Sequence, residues 1–458
     1  MRRQNSNISK FLFFIFIIIV IIIGGFVYFS PLFEKTAPKI TINNNGYWNV
    51  KDDIKVSLFD DSGIKSFKVF YEAGDKTEVI LDNNNLPKGK SIGFNIKALT
   101  LTPDIKEIKL VIEAYDNSMW NLFKGNRAYE EYNLKIDKKR PIARVITNSY
   151  NIRRGGSAAV VVEVSDENLE DKYITFNNDT RFELIPYMKE GFYTAIIAWP
   201  IDIEFDSFER VNLVAVDKAN NKTITKIPLY IKDLAIKRDK LTISDNFVNR
   251  VSIPVLQKSG YDVPTTNVEI FVKQNEELRA NNVKTIKKVS LDNMSKELET
   301  SFDIKPFKRL QNSKRFAGFA ERRSYYYDGE KIDEAWHLGM DWASIKHAPI
   351  EISNKGKVIF SDYLGIYGNT LIVDHGFGIQ SLYAHTSRFN VNKDQELKIG
   401  QEIANTGSTG AVFGDHLHFG VLIQGIEVNP LEWMDANWIK TRVTNILEEA
   451  NQEIRSSK

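Results

Sequence analysis

The sequence predicts a mainly β chain behind one N-terminal transmembrane helix, on three observations. An uncharged apolar run fills residues 11–29. From about 37 to 232, short alternating apolar and polar segments are separated by Gly, Asn and Asp turns, with an internal repeat at an offset of roughly 100 residues. All six histidines lie within residues 337–418, four of them on segments of period-two alternation. That window holds about 82 of the 458 positions, so random placement would put all six there with a chance on the order of 10⁻⁵. Histidine is the commonest metal ligand and the natural proton carrier near neutral pH, so the window predicts a metal or acid–base site.

Composition narrows the class. A length of 458 residues, 43% hydrophobic and 26% charged, suits about three folded domains. Lys+Arg 61 against Asp+Glu 59 gives no basic excess, which argues against nucleic acid as a partner. With no cysteine, disulfides, thiolate zinc ligands and thiol nucleophiles are excluded.

At the N-terminus, Arg2, Arg3 and Lys10 precede the run from Phe11 to Phe29, about 19 residues and enough to span a bilayer. The positive flank predicts residues 1–10 in the cytoplasm, 11–29 as a single-pass signal anchor in the inner (cytoplasmic) membrane, and the rest in the periplasm or outside the cell. A cleaved signal peptide would have a shorter apolar core and a small-residue cleavage site, and Tyr28-Phe29-Ser30-Pro31 is a poor one.

The repeat pairs Val56-Ser-Leu-Phe-Asp60 with Val162-Glu-Val-Ser-Asp166, and Leu110-Val-Ile-Glu-Ala-Tyr-Asp116 with Val211-Asn-Leu-Val-Ala-Val-Asp217. Ala37-Pro38 and Arg140-Pro141 mark the two starts. The spacing fits one β-sandwich per repeat, and both halves resemble immunoglobulin-like domains, at 37–138 and 139–232. They read as a stalk, with envelope protein partners as the other possible use. Asp60, Asp61, Asp116, Asp166 and Asp217 read as turn formers rather than calcium ligands. Residues 233–306 mix charged and apolar positions, partly at helical spacing over 268–289, and predict a mixed α/β linker region. Residues 306–335 are basic and aromatic and read as a groove wall or a loop over the site. Val443, Ile446, Leu447 and Ile454 predict an amphipathic C-terminal helix over 441–458.

In His337-Leu-Gly-Met-Asp341, a strand would put His337, Gly339 and Asp341 on one face and Leu338, Met340 and Trp342 on the other. His416-Leu-His418-Phe repeats this pattern, and Tyr383-Ala-His385 does so a third time, which predicts three antiparallel strands sharing a polar face. Imidazoles plus one carboxylate suit a catalytic zinc site with an open position. The five groups exceed the three ligands needed, so spacing leaves open which of them bind metal and which move protons. His375, in an Asp-His-Gly turn, reads as structural, and His347 as a loop residue.

These segments, with Gly368-Asn-Thr-Leu-Ile-Val-Asp-His-Gly376, Leu382-Tyr-Ala-His385, Gly400-Gln-Glu-Ile-Ala-Asn-Thr-Gly407, Gly414-Asp-His-Leu-His-Phe-Gly420 and Val428-Asn-Pro430, resemble the lysostaphin-type (LytM-like) zinc metalloendopeptidases in order and spacing. The resemblance implies an antiparallel β-sheet metallopeptidase domain over 307–440 that hydrolyses peptide cross-links of bacterial peptidoglycan. One Zn²⁺ would be held by His337, Asp341 and His418, and His385 and His416 would form the catalytic pair around a metal-activated water. The chain departs from the family at Asp415, where proline is frequent, and at Gly420, where glutamate is frequent. Some relatives are catalytically silent and activate other wall hydrolases, but all five key residues stand in this sequence. The expected substrate is the peptidoglycan stem peptide.

Overall fold

The computed structural model describes residues 5–84, 86, 89–177 and 179–456. A helix runs over Asn5–Phe29, and its stretch Ile8–Phe29 is 22 residues, long and apolar enough to cross a membrane. At 1.5 Å per residue that stretch spans about 33 Å, against a hydrocarbon core of about 30 Å. The chain divides into two compact units, the first of residues 1–141, 167–170 and 216–222, the second of 142–166, 171–215 and 223–458.

In the first unit a three-stranded antiparallel sheet (Lys39–Ile42, Ile54–Phe59, Ser91–Ile96) accompanies a five-stranded one. Strict alternation in Ile54–Phe59 buries Ile54, Val56 and Leu58 and exposes the residues between them. They join one core with Trp48, Phe67, Val69 and Leu110. The carboxylate of Asp116 accepts the backbone N–H groups of Ser118 and Asn126, a turn-forming use of the acid.

In the second unit, strand Ser157–Ser165 is buried on both sides for most of its length. One cause is the C-terminal helix Asn445–Ser456, which buries Leu447, Ala450 and Ile454. The Thr147 hydroxyl donates to Ile446 O at 3.0 Å and ties the neighbouring strand to that helix.

The histidine window builds the last part of this unit. Its strands are β1 (Arg238–Thr242), β2 (Lys314–Ala317), β3 (Glu321–Tyr327), β4 (Glu330–His337), β5 (Met340–Ala343), β6 (Gly356–Tyr363), β7 (Asn369–Asp374), β8 (Ile379–Ala384), β9 (Glu396–Leu397), β10 (Leu417–Ile423) and β11 (Ile426–Val428). An eight-stranded sheet runs in the order β2-β5-β10-β8-β7-β6-β9, with β11 beside β10. A separate three-stranded sheet runs β1-β3-β4.

Residues 233–306 supply β1 and the helices α1 (Asn267–Lys273) and α2 (Arg279–Asp292), joined by a π-turn over Gln274–Leu278. Thr266 and Glu269 form a reciprocal capping box at the start of α1. Ile243, Phe271, Leu278 and Ile286 pack in one core with Ile372, Leu382 and Leu422 of the large sheet.

His375 follows β7 and is buried. Its Nδ1–H donates to Lys355 O at 2.7 Å, and its Nε2 accepts the Ser381 hydroxyl at 2.7 Å. Burial pushes its pKa down to about 4, against the opposing pull of the Lys355 hydrogen bond. The unfolded chain takes up this proton near pH 6.5, well before the folded one. His375 therefore lends full stability above about pH 6.5 and loses it as pH falls towards about 4, by on the order of 3 kcal/mol. Urea unfolding between pH 7 and 4.5 should follow that slope, and His375→Gln should flatten it; an equally steep variant would show that other groups set the slope.

Candidate active site

The sheet register assembles the site. In β5 and β10, Asp341 faces His418 directly, and Ala384 of β8 faces His418 from the other side. Directly opposed residues of an antiparallel pair point to the same face, so Asp341, His418 and Ala384 share one. Leu422, four residues beyond His418, lies on that face and packs with the helices α1 and α2. The other face carries Leu417, Phe419 and Val421, with the Trp342 ring stacked on Phe419 at 5.1 Å. The polar face of the sheet is thus the one the helices cover.

His337 reaches the site differently from the expected single strand. It ends β4 in the three-stranded sheet; the chain breaks at Leu338-Gly339, and Asp341 belongs to β5 of the large sheet. Gly339 makes a close approach there. A Cβ there would lie 2.5 Å from His418 Nε2 and 2.6 Å from Phe419 O, so the missing side chain admits the His418 ring. His385 also departs from expectation, for β8 stops at Ala384 and His385 adopts φ +59°. That left-handed conformation is held by its N–H donating to Tyr367 O at 2.8 Å.

Three ligand atoms converge. His418 Nδ1 lies 2.9 Å from Asp341 Oδ1, His337 Nε2 lies 3.1 Å from Asp341 Oδ2, and the two histidine nitrogens are 3.2 Å apart. Two ligands held roughly 2.0–2.1 Å from a tetrahedral zinc ion stand about 3.3 Å apart, so nitrogen–nitrogen–oxygen donors at this spacing fit that ion. The His337 Nδ1–H donates to Gly318 O at 2.7 Å, which fixes the tautomer and leaves Nε2 as the lone-pair donor. Burial pushes the Asp341 carboxyl up, but His337 and His418 outweigh it and hold it well below the usual carboxylate range. Burial likewise lowers His418.

Beside this trio lie His385 and His416, their ring centroids 5.0 Å apart, with His385 also 5.7 Å from His418. The His385 Nδ1–H donates to Thr409 O at 2.8 Å, leaving Nε2 as its basic nitrogen. Burial, reinforced by His416 and His418, pushes the His385 pKa well below its ordinary value. His416 donates from Nδ1 to Gly414 O at 3.0 Å, and its Nε2 stands 3.8 Å from Asp341 Oδ1. Asp415 gives its carboxylate to the Thr406 hydroxyl and to His347 N–H, so it fastens a loop. His347 is exposed and His375 is bonded elsewhere; neither joins the site.

A cavity of about 510 Å³ opens on Asp341 and His416. Phe316, Glu321 and Arg323 line it, so residues 306–335 serve as a wall. Arg323 stands 3.8 Å from Asp341 Oδ2 and 3.3 Å from Glu321. Phe271, Gln274 and Arg279 line it as well, from the stretch that reads in sequence as a linker. Alternation in Glu321-Arg-Arg323-Ser-Tyr325 was the available signal for the first wall; the helical wall had none, since covering a sheet face depends on tertiary packing.

A His–Asp–His group with two neighbouring imidazoles in a cleft is a donor set able to hold a metal ion, with proton-carrying groups beside it. Residues 335–430 match Peptidase family M23, and the C-terminal part of the chain carries a domain of that family. The DD-carboxypeptidase/endopeptidase Mpg of Neisseria meningitidis serogroup B is 37% identical over 95 residues, 21% of this chain and 22% of that protein. The peptidoglycan DD-endopeptidase ShyB of Vibrio cholerae is 31% identical over 141 residues, 31% of this chain and 32% of that one. The murein hydrolase activator NlpD of Salmonella dublin is 36% identical over 113 residues, 23% of this chain and 30% of that one. The matches thus span a third or less of these relatives' own lengths.

Gly339→Ala should crowd the His418 ring and Phe419 O, costing about 1–3 kcal/mol. The expected result is a lowered melting temperature with a weakened metal stoichiometry; an unchanged one on both counts would mean the loop relaxes around the methyl.

Proposed function

We propose that the chain is a membrane-anchored zinc endopeptidase that hydrolyses peptide cross-links of bacterial peptidoglycan. The observation that carries this reading is the convergence of His337 Nε2, Asp341 and His418 Nδ1 within 2.9–3.2 Å, beside two further imidazoles. Bound there, zinc would supply Lewis-acid polarisation of the scissile carbonyl. His337, Asp341 and His418 are the metal ligands in this reading.

His385 is the general base. It is neutral near pH 7, and its Nε2 is free to take a proton from attacking water. His416 has its Nδ1–H committed to Gly414 O, so it donates through Nε2 only in its protonated form, and in that form it steadies the developing oxyanion. The M23 domain extends over 307–440, since Gly318 O orients His337 and Arg323 stands at Asp341. The repeats at 37–138 and 139–232 are immunoglobulin-like stalk domains, 233–306 braces the catalytic sheet, and of the expected C-terminal helix over 441–458 the described residues, 441–456, are helical. Residues 11–29 anchor it in the cytoplasmic membrane with the catalytic end outside.

A second reading follows from the likeness to NlpD: a catalytically silent activator of other wall hydrolases. Retention of all five site groups favours the enzyme.

Full-length protein in detergent, with metal analysis and purified cross-linked peptidoglycan, separates the two. His418→Ala should lose zinc and activity together. His385→Ala should keep zinc and lose at least about 100-fold in cleavage rate. Full activity in both variants would sink the enzyme reading. A chain starting at Pro31 should leave the membrane fraction, and its continued sedimentation with membranes would count against the anchor.

A further inference from the structure

The charged groups lining the cavity beside Asp341 and His416 are almost all matched. Lys237 pairs with Asp239 at 2.8 Å and Glu321 at 3.0 Å. Arg323 pairs with Glu321 at 3.3 Å and faces Asp341 at 3.8 Å. Asp415 is bonded to Thr406 and to His347. Arg279 differs. Partly buried at the start of α2, it forms no ion pair among the described residues, and its direct partners are the neutral oxygens of Asn275. Its Nη2 donates to Asn275 Oδ1 at 2.6 Å, and its Nε to the carbonyl O at 3.2 Å and Oδ1 at 3.1 Å. Asn275 is buried and set in turn by donating to Asp333 at 2.6 Å, so the guanidinium is held in a fixed orientation.

A guanidinium has five N–H groups. With Nε–H and one Nη2–H engaged by Asn275, the two on Nη1 and one on Nη2 remain as an edge shaped for two parallel bonds to a carboxylate. A partly buried cation lining the cavity with Phe247, Phe271, Tyr325 and Phe413 has no direct ion pair, only a longer-range attraction to the buried Glu427, and it gains from an incoming anion.

We infer that Arg279 is the specificity-determining residue that binds a carboxylate of the substrate peptide, in a subsite built by the helical segment upstream of the M23 match. The bond formed is an ion pair with no covalent step, and the substrate class rests on the endopeptidase reading. Arg279 acts on the bound peptide from the wall, so its loss weakens KM and leaves kcat near the wild-type value.

The test uses the full chain in detergent and dye-labelled tetrapeptides in matched pairs: a free terminal carboxylate against its carboxamide, and a side-chain carboxylate against its carboxamide. Fluorescence anisotropy gives affinity without turnover. Wild type should bind one carboxylate form about 10- to 100-fold tighter than its amide. Arg279→Gln should erase the difference while keeping the melting temperature, and Arg279→Lys should restore part of it. No preference in wild type for either pair, or an undiminished preference in Arg279→Gln, overturns the inference. A preference that follows Arg279 in a protein that cuts no cross-link would uphold the subsite and overturn the endopeptidase reading, so the two failures are distinguishable.

Discussion

The pairing of Asp341 with His418 across β5 and β10 is the constraint on which the site depends. Side chains alternate faces with a period of two, so slipping this register by one residue would set Leu417 or Phe419 opposite Asp341 and send His418 out of the site. The register is enforced by the opposite face, where Trp342, Leu417, Phe419 and Val421 are buried and two of the rings stack. A metal-capable group is thus positioned by apolar packing on the far side of the strands that carry it. Burying an acid between two imidazoles is costly unless the groups are matched, and a depressed Asp341 together with bonded histidines is what a matched set produces.

Around that pair, backbone carbonyls orient the rings. Gly318 O, Thr409 O and Gly414 O each accept from the Nδ1–H of His337, His385 and His416. Two loops, one carrying Gly318 and one carrying both Thr409 and Gly414, therefore hold three imidazoles in defined tautomers, and the basic nitrogens are left for chemistry. The Tyr367 carbonyl holds His385 in its left-handed conformation, and the loop before Tyr367 is pinned where Asn282 of α2 accepts Ile366 N–H at 3.0 Å. The helix that covers the sheet is therefore joined to the loop that orients the proposed base.

The sequence carried the five candidate groups because His337, Asp341, His385, His416 and His418 sit among residues whose apolar neighbours alternate, while which of them would bind metal came only from the family resemblance. It carried the N-terminal helix through an uninterrupted apolar run and the C-terminal helix through its amphipathic period, both local properties. It misread the path from His337 to Asp341 as one strand. Alternation persists across Leu338-Gly339, while the ring of His418 that packs against Gly339 is distant by about 80 positions in the chain and invisible to any local window. His385 was read as the end of a strand because nothing in Tyr383-Ala-His385 encodes a positive φ; the conformation comes from the Tyr367 loop. Residues 233–306 read as a linker because their buried face is not wholly apolar. Gln274, Asn275 and Asn282 are all buried there, and buried amides look like solvent-exposed ones in a sequence.

That last feature explains why the family match at 335–430 falls short of a complete site. Ile243, Leu256, Phe271, Leu278 and Ile286 lie outside the match yet share a core with Ile372, Leu382 and Leu422 inside it. His418 and Leu422 occupy the same face of β10, so whatever covers Leu422 necessarily borders the metal-capable group. Helices packed on that face become walls of the cavity by geometry alone, and their residues meet whatever peptide enters it. The matched segment holds the His–Asp–His group and its neighbouring imidazoles; the cavity beside them is completed by residues upstream of it.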